Sequence, residues 1–153
     1  ASMASELNAV PQAFSLAVRA SQALEKVMQH ETAAFRLVEL ARENANYKLA
    51  PAAHLRGCWN YRQTKIKDAE KHTQLVTWFE EHLQRWPQSD SIPTVHVWLG
   101  EEQLTHQQWP SAFQNYLSVP VTHTLFRESL KWWAKPSDSN VFLKTVCAFC
   151  GCA

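Results

Sequence analysis

Apolar residues recur every three or four positions along the first half of the chain, which is the period of one face of an α-helix. From Pro11 to about Asn46 the pattern predicts one long amphipathic helix, or two helices joined near His30. Pro11 suits the first helical turn, where the N–H that proline lacks has no partner, and the segment from Asn44 to Pro51 supplies the break. The stripe comprises Phe14, Ala17, Val18, Leu24, Val27, Met28, Ala34, Phe35, Val38 and Ala41.

A second stripe predicts a helix that ends at Trp86, before Pro87. Two starts fit the sequence: the helix begins near residue 55, with Gly57 weakening its first turns, or it begins later, with Asn60 and Gln63 as a capping box. The short link near residues 47 to 51 makes the two helices antiparallel neighbours, so residues 11–86 are expected to form a long helical hairpin. The second stripe comprises Leu55, Trp59, Ile66, Ala69, Thr73, Val76 and Leu83.

The rest of the chain is expected to form a smaller subregion, residues 94–153, packed on the hairpin. Residues 87–93 are polar and bounded by prolines, which is typical of a linker. Thr94 to Leu99 is rich in β-branched residues and lies between Pro93 and Gly100, so it predicts a short strand. The sequence offers no convincing second strand to pair with it.

Three further helices are predicted in this subregion. The first begins with a capping box and hydrophobic staple over Leu104 to Trp109, or has Pro110 as its first residue, and ends near Leu117 in both versions. The second runs over 122–134 and is closed by Pro136. The third is capped by Ser137 to Ser139 and ends at Gly151.

Composition agrees with a mainly α-helical single domain containing at most one or two short strands. The chain has 153 residues, of which 46% are hydrophobic and only three are glycine, whereas β-sandwiches use many glycine-rich turns. Residues 1–10 precede the periodic region and are expected to be a disordered tail or a cloning remnant.

Charge and hydropathy limit the classes of partner. A net charge of +1 creates no global field that would attract nucleic acid or an anionic membrane, so such binding would need a local patch. Apolar runs are too short to span a bilayer and no export signal begins the chain, which predicts a soluble protein without membrane contact. The four cysteines lack the spread of a disulfide framework, so reduced thiols in a cytoplasm are expected.

One face of the second predicted helix is basic and contains an aromatic residue. Arg56, Lys67, Lys71, Trp78 and Arg85 are spaced so that they share the side opposite the apolar stripe. Cations that contact phosphates and an indole that stacks on a base would suit nucleic acid. The alternative interpretation is an ordinary solvated face, because Glu70 and Glu81 dilute the charge.

The chain ends with Cys147, Cys150 and Cys152, in the Cys-x-x-Cys-Gly spacing that forms half of many zinc sites. Completing such a site would need Cys58, a histidine or a second chain. The alternative is that these cysteines are small buried hydrophobic residues, with no cofactor bound. A thiol redox role is disfavoured because no βαβ pattern surrounds the pair.

No catalytic motif is present. The seven histidines do not fall in His-x-x-x-His or His-Glu-x-x-His spacing, and surface or locally hydrogen-bonded histidines are the ordinary explanation. The adjacent pairs Glu80–Glu81 and Glu101–Glu102 point in different directions, which does not suit paired acid-base catalysis. The sequence therefore predicts that the protein is not an enzyme.

Seven tryptophans are many for this length, and Trp132 and Trp133 are neighbours. On one helix they differ by about 100°, so one of them is expected at the edge of the core or in a protein contact surface. Packing of both indoles in a broad core is the alternative. Together these features favour a non-enzymatic binding or assembly protein that acts on itself or on a protein partner, with nucleic-acid binding or zinc dependence as alternatives.

Overall fold

The structure is a computed structural model that describes the backbone of residues 3–131 and the side chains of residues 11–127. The described part of the chain is helical and contains no strand, which confirms the predicted mainly α-helical class. Its helices are α1 (Met3–Lys26), α2 (His30–Glu43), α3 (Ala50–Arg62), α4 (Asp68–Arg85), α5 (Ile92–Thr105), α6 (Trp109–Leu117) and α7 (Thr124–Lys131).

The chain divides into two compact units, Ala1–Ser91 and Ile92–Ala153. The division falls inside the segment 87–93 that the sequence analysis assigned to a linker. Helices α1 to α4 belong to the first unit and helices α5 to α7 to the second.

Helices α2 and α3 form the central hairpin of the first unit, and small side chains allow them to approach closely. The buried face of α2 includes Ala33, Ala34 and Ala41, and α3 presents Gly57 to it. A Cβ at Gly57 would lie 2.7 Å from Val38 Cγ2 and 3.0 Å from the Ala34 carbonyl oxygen, which is closer than side-chain atoms pack. Glycine at this position therefore sets the spacing of the hairpin.

Helix α1 packs against α2, and a tight turn separates them. The N–H of Met28 bonds the Glu25 carbonyl at 3.0 Å and the N–H of Gln29 bonds the Leu24 carbonyl at 2.9 Å, while Met28 has a φ of 62°. This is a Schellman motif with a non-glycine residue at its left-handed position. The break agrees with the predicted alternative of two helices joined near His30, but α1 begins at Met3 and includes residues 3–10 of the expected tail as well as Pro11.

The second stripe is not the buried face, so that prediction is wrong. The single helix on which the stripe was counted is interrupted in the structure. Residues 63–67 are not helical and separate α3 from α4, so a stripe counted across them mixes two helices of different phase. On α4 the buried residues are Leu75, Trp78, Phe79 and His82, whereas Thr73 of the predicted stripe is exposed. Two acidic residues, Asp68 and Glu70, lie in the first turn of α4, where they favour a helix start.

The core of the first unit contains side chains from each of its four helices or their ends. Trp86, directly after α4, packs in a cluster with Phe14 of α1, Leu37 of α2 and Ala53 of α3. The indole Nε1 donates a hydrogen bond of 2.8 Å to the Ala45 carbonyl oxygen, which fixes the end of α4 against the α2–α3 connection.

In the second unit, the predicted strand Thr94 to Leu99 is part of helix α5, so that prediction is wrong. A short apolar run does not distinguish a strand from a buried helix, and Pro93 occupies the first turn of α5, a position where proline favours a helix. Gly100 lies inside α5, where a Cβ would meet the Tyr116 ring of α6 at 2.8 Å. The helix predicted to end near Leu117 is confirmed as α6, with Pro110 in its first turn.

Candidate functional site

Two imidazoles form an internal polar pair in the first unit. His54 of α3 and His82 of α4 both have 0% relative exposure, and their Nδ1 atoms lie 3.2 Å apart. The Trp86 ring packs beside both imidazoles, with centroid distances of 5.1 Å to each. Because buried polar groups need partners, the surroundings of this pair decide its protonation.

The outer nitrogen of each imidazole faces a different polar group. His82 Nε2 lies 2.8 Å from Ser91 Oγ, which in turn lies 2.7 Å from Ser89 Oγ. His54 Nε2 lies 3.7 Å from Glu81 Oε2, beyond a normal hydrogen bond, and has no hydrogen-bond partner. His82 Nε2 thus has a good hydrogen-bond partner in Ser91, whereas His54 Nε2 has only a distant one in Glu81.

The Glu81 carboxylate favours one tautomer of each of the two histidines, His54 and His82. A neutral His54 with its hydrogen on Nε2 presents that N–H to the carboxylate, whereas the other tautomer would present a lone pair. His54 Nδ1 then accepts from His82 Nδ1–H, and His82 Nε2 accepts from the Ser91 hydroxyl. We therefore assign the Nε2–H tautomer to His54 and the Nδ1–H tautomer to His82.

Burial keeps both imidazoles neutral. Desolvation is the main cause that lowers the pKa of His54 to about 4, and the neighbouring His82 lowers it further, while Glu81 opposes the shift. Desolvation likewise lowers the pKa of His82 to about 4, again against the effect of Glu81. A charged imidazole would lose its hydration here, so the pair holds no charge at neutral pH.

Cys58 adds a sulfur to this cluster. It follows His54 by one helical turn on α3, and its Sγ lies 3.8 Å from His54 Nδ1. Its side chain is fully buried, and desolvation raises the pKa of the thiol strongly. The thiol is therefore protonated in the folded, metal-free chain.

Glu81 is held by two arginines at the edge of the same cluster. Arg42 of α2 donates from Nε at 2.9 Å and from Nη2 at 2.6 Å, and Arg85 Nε lies 2.7 Å from Oε1. The hydrogen bond from Arg42 is the first cause that lowers the pKa of Glu81, with burial opposing it. The carboxylate thus stays charged beside the neutral imidazole of His54.

A surface cleft lies next to the histidine pair. Trp86 and Ser89, which both touch the hydrogen-bonded cluster, line this cleft together with Tyr47, Lys48 and Pro51 of the α2–α3 region. Trp86 thus both lines the cleft and packs against the two imidazoles.

A second polar network joins α1, α2 and α3. Arg56 donates to the two carboxylate oxygens of Glu25 at 2.8 and 2.7 Å, and Asn60 Nδ2 donates to Glu25 Oε1 at 2.7 Å. Asn60 Oδ1 lies 2.9 Å from His30 Nδ1. The hydrogen bond from Arg56 is the main cause that lowers the pKa of Glu25. We call these four residues the Glu25 network.

A groove lies above this network at the α1–α2 turn. We call it the turn groove; Met28, His30, Gln63, Lys65 and Ile66 are among its lining residues. Trp59 borders it by packing edge-on against His30, with ring centroids 6.1 Å apart. Met28 is 76% exposed and Trp59 is 40% exposed, so large apolar side chains reach the surface here.

The residues predicted to contact nucleic acid do not share one surface. Trp78 is 1% exposed and packs against Tyr61 and Phe35, because the true core face of α4 is the face once assigned to solvent. Arg56 of α3 is bound to Glu25 of α1, and Arg85 is bound to Glu81 of the same helix, α4. Trp78 therefore has no free ring face for a base, which corrects its assigned position.

Lys67 and Lys71, the remaining two residues of that set, lie at the start of α4. Lys67 precedes the helix, and Lys71 Nζ donates to the Thr64 carbonyl oxygen at 2.9 Å. Nucleic-acid binding by these basic residues stays a prediction.

The predicted protein-contact pair Trp132 and Trp133 lies outside the described residues. The same holds for the predicted zinc ligands Cys147, Cys150 and Cys152, and for the helix predicted after Ser137. Among the described residues, none of the helices is both long enough and apolar enough to cross a membrane.

Sequence reasoning missed the histidine pair. The sequence singles out neither His54 nor His82, because neither forms a familiar ligand motif. The spacing of Leu75, Phe79, His82 and Trp86 by three and four positions would have placed His82 on a buried face. His54 and Cys58, four residues apart, share a helix face in the same way.

The described residues define a mainly α-helical protein with a histidine pair enclosed in its first unit. Neither the family models, nor the curated proteins, nor the solved structures contain a match to this chain. Its function must therefore be inferred from its own residues.

Proposed function

We propose that this chain is a non-enzymatic binding and assembly protein that uses the turn groove to bind a protein partner, and that a second copy of the chain is that partner. The observation that carries the proposal is the exposure of two apolar side chains: Met28, which lines the groove, and Trp59, which packs against the groove residue His30. Methionine and tryptophan are enriched at protein interfaces, where a few such side chains supply most of the binding energy.

The rigidity of the groove supports the proposal. His30 lines the groove and is hydrogen-bonded to Asn60, which is buried and bonded to Glu25. A surface whose side chains are already fixed loses less conformational entropy when a partner binds. The Glu25 network thus favours binding at this end of the helices.

The chemistry of the histidine pair favours binding over catalysis. General bases act best when their pKa lies near the working pH, and the pKa of both histidines is about 4. Such imidazoles are unprotonated at neutral pH but are weak bases. A cytoplasmic location belongs to the same proposal, since Cys58 is a buried free thiol.

Self-association is supported by the small net charge of the chain. At +1, two copies repel each other weakly, so an apolar contact meets little electrostatic opposition. Two-fold symmetric pairs are the commonest oligomers, and in them the same surface of each copy meets its equivalent. The turn groove would then face the groove of the second copy.

The test is the native mass of the full chain over a range of concentrations, compared between matched variants. Met28→Asn keeps a residue that tolerates the left-handed turn and removes the apolar side chain, and Trp59→Ala removes the neighbouring indole. We expect a dimer whose dissociation constant rises at least about tenfold in either variant. Leu16→Asn, an exposed apolar residue elsewhere on α1, is the control and should leave the dimer intact.

Two outcomes would refute the proposal. The first is a wild-type chain that stays monomeric at every concentration reached. The second is an equal effect of Leu16→Asn, which would mean that general surface hydrophobicity drives association and the turn groove does not.

A further inference from the structure

We propose that His54, His82 and Cys58 form a buried binding site for a transition-metal ion of borderline softness, of the Zn²⁺ or Co²⁺ class. The ligands would be the two Nδ1 atoms and the Cys58 sulfur. This inference stands on the interior of the first unit and is independent of the turn groove.

The separation of the two nitrogens fits one metal ion. Zinc binds histidine nitrogen at 2.0–2.1 Å, so two ligands 3.2 Å apart subtend about 100–105° at the metal, close to the tetrahedral angle. The same distance also accommodates an N–H···N hydrogen bond, which is how we describe the metal-free pair. Metal binding requires no change in the spacing of the two nitrogens.

The Cys58 sulfur lies near His54 Nδ1, the same ring nitrogen that faces His82. Its 3.8 Å distance from His54 Nδ1 compares with about 3.6 Å for sulfur and nitrogen ligands of one tetrahedral zinc ion. The three donor atoms do not all lie within 4.8 Å of one another, so binding must draw the thiol toward His82. Nitrogen and thiolate ligands select zinc-like ions over Mg²⁺ or Ca²⁺.

The outer nitrogens are arranged as in metal sites. A histidine that ligates through one nitrogen usually donates its other N–H to a carboxylate, hydroxyl or carbonyl oxygen. Here Ser91 Oγ faces His82 Nε2 at 2.8 Å and Glu81 Oε2 faces His54 Nε2 at 3.7 Å. His54 Nε2 otherwise lacks a hydrogen-bond partner, and the positive charge of a bound ion would strengthen its attraction to the carboxylate.

Binding has a defined proton balance. The two imidazoles are already neutral and lose no proton overall, but the His82 hydrogen moves from Nδ1 to Nε2. Cys58 binds as thiolate and releases one proton to solvent, so one divalent ion adds a net charge of +1. The cleft lined by Trp86 and Ser89 is the surface pocket next to these ligands.

The test uses Co²⁺ alone, added to the full chain under reducing conditions. A first variant, C147S/C150S/C152S, removes the terminal cysteines, so that Cys58 is the remaining thiol. We expect it to bind one equivalent of Co²⁺ with the absorption bands of a thiolate-bound tetrahedral ion. Zn²⁺ should displace the Co²⁺ and abolish those bands.

Further variants in this background locate the site. Cys58→Ser should remove the thiolate band, and His82→Gln should weaken Co²⁺ binding by at least about a hundredfold. Ser91→Ala, at a half-buried position, should weaken it by about 10–100-fold through the lost hydrogen bond. His96→Gln, which changes a half-buried histidine of the second unit, should have no effect.

Three results would overturn the proposal. One is that the variant without terminal cysteines binds no stoichiometric Co²⁺, although it retains His54, His82 and Cys58. Another is that Cys58→Ser binds Co²⁺ with the parental spectrum. The third is that Ser91→Ala, shown by its circular dichroism to be folded, binds as tightly as its parent.

Discussion

At the scale of single residues, the feature that most distinguishes this protein is a pair of neutral histidines where an apolar core would be expected. His54 and His82 are enclosed by Trp86 and hydrogen-bonded to each other and to Ser91. Two buried imidazoles cost desolvation energy that aliphatic side chains of similar volume would not. Because burial also lowers the pKa of both histidines, the free energy of unfolding depends on pH.

Stability is expected to fall as the pH drops from about 6.5 toward 4. The unfolded histidines take up protons near pH 6.5, whereas the folded pair resists them until about pH 4, so the unfolded state binds more protons in this window. Each histidine contributes a slope of at most about 1.4 kcal/mol per pH unit. Denaturant unfolding of the full chain at pH 7.0, 6.0 and 5.0 measures this loss.

Two variants separate this effect from general acid sensitivity. The double variant His54→Gln/His82→Gln should lose most of the slope, whereas His96→Gln should retain it. The carboxylates Glu25 and Glu81, whose pKa values are lowered, become important only below about pH 4.5, because their unfolded-state pKa lies there. A wild-type stability that stays flat between pH 7 and 5 would contradict the buried neutral pair.

A second residue-scale prediction concerns the left-handed position of the α1–α2 turn. Met28 has a φ of 62° and an exposed side chain, so it adopts the backbone of a glycine without packing in the core. Met28→Gly should raise the free energy of unfolding by about 0.5–1 kcal/mol. Gln107, at the corresponding position after α5, should respond in the same direction. A loss of stability in both variants would refute this account of the turns.

At the scale of helices, the sequence predicted the class of the fold but not the faces. The period of apolar residues identified helices around Phe14 and Val38, and polar or proline-rich segments located most of the breaks. The errors came from Thr64, where no proline or glycine marks the end of α3, and from Val95 and Val97, whose β-branched side chains suggested a strand. Tertiary packing overrides such local preferences, and one sequence does not reveal it.

The close contact between α2 and α3 at Gly57 provides a prediction about stability. Gly57→Ala should destabilise the protein by about 1–3 kcal/mol, although alanine favours helices by about 1 kcal/mol, because its methyl group meets Val38 Cγ2 and the Ala34 carbonyl oxygen. Thermal and denaturant unfolding measure the change.

A double-mutant cycle tests the cause. Val38→Ala removes the nearest atom, so Gly57→Ala should cost at least about 0.5 kcal/mol less in that background. Equal costs in both backgrounds would show that the contact between α2 and α3 does not limit the substitution.

At the scale of the molecule, hydrogen-bonded ion pairs as well as the apolar core connect the helices of the first unit. The Glu25 network connects α1 to α3, and the Arg42–Glu81 pair connects α2 to α4. Surface ion pairs contribute little, but Glu25 is largely buried and accepts three side-chain hydrogen bonds, which is the favourable case. The network therefore ties the position of α1 to the rest of the unit.

Glu25→Gln should loosen α1 without unfolding the unit. The substitution removes the charge that Arg56 and Asn60 contact, and a cost of about 1–2 kcal/mol is expected. Hydrogen exchange of the α1 amides should accelerate more than that of the α3 amides. Glu43→Gln, an exposed acid at the end of α2, is the control and should change neither. Uniform acceleration in both helices would contradict a local tie.

The most direct test is ¹⁵N NMR of the imidazole rings in the full metal-free chain, with His54→Gln and His82→Gln used to assign the two signals. We expect two imidazoles that remain neutral from pH 7 to about pH 5, with the hydrogen on Nε2 in His54 and on Nδ1 in His82. If both rings instead titrate near pH 6.5 as exposed histidines do, the histidine pair is not buried and the arrangement of α3 and α4 described above is incorrect.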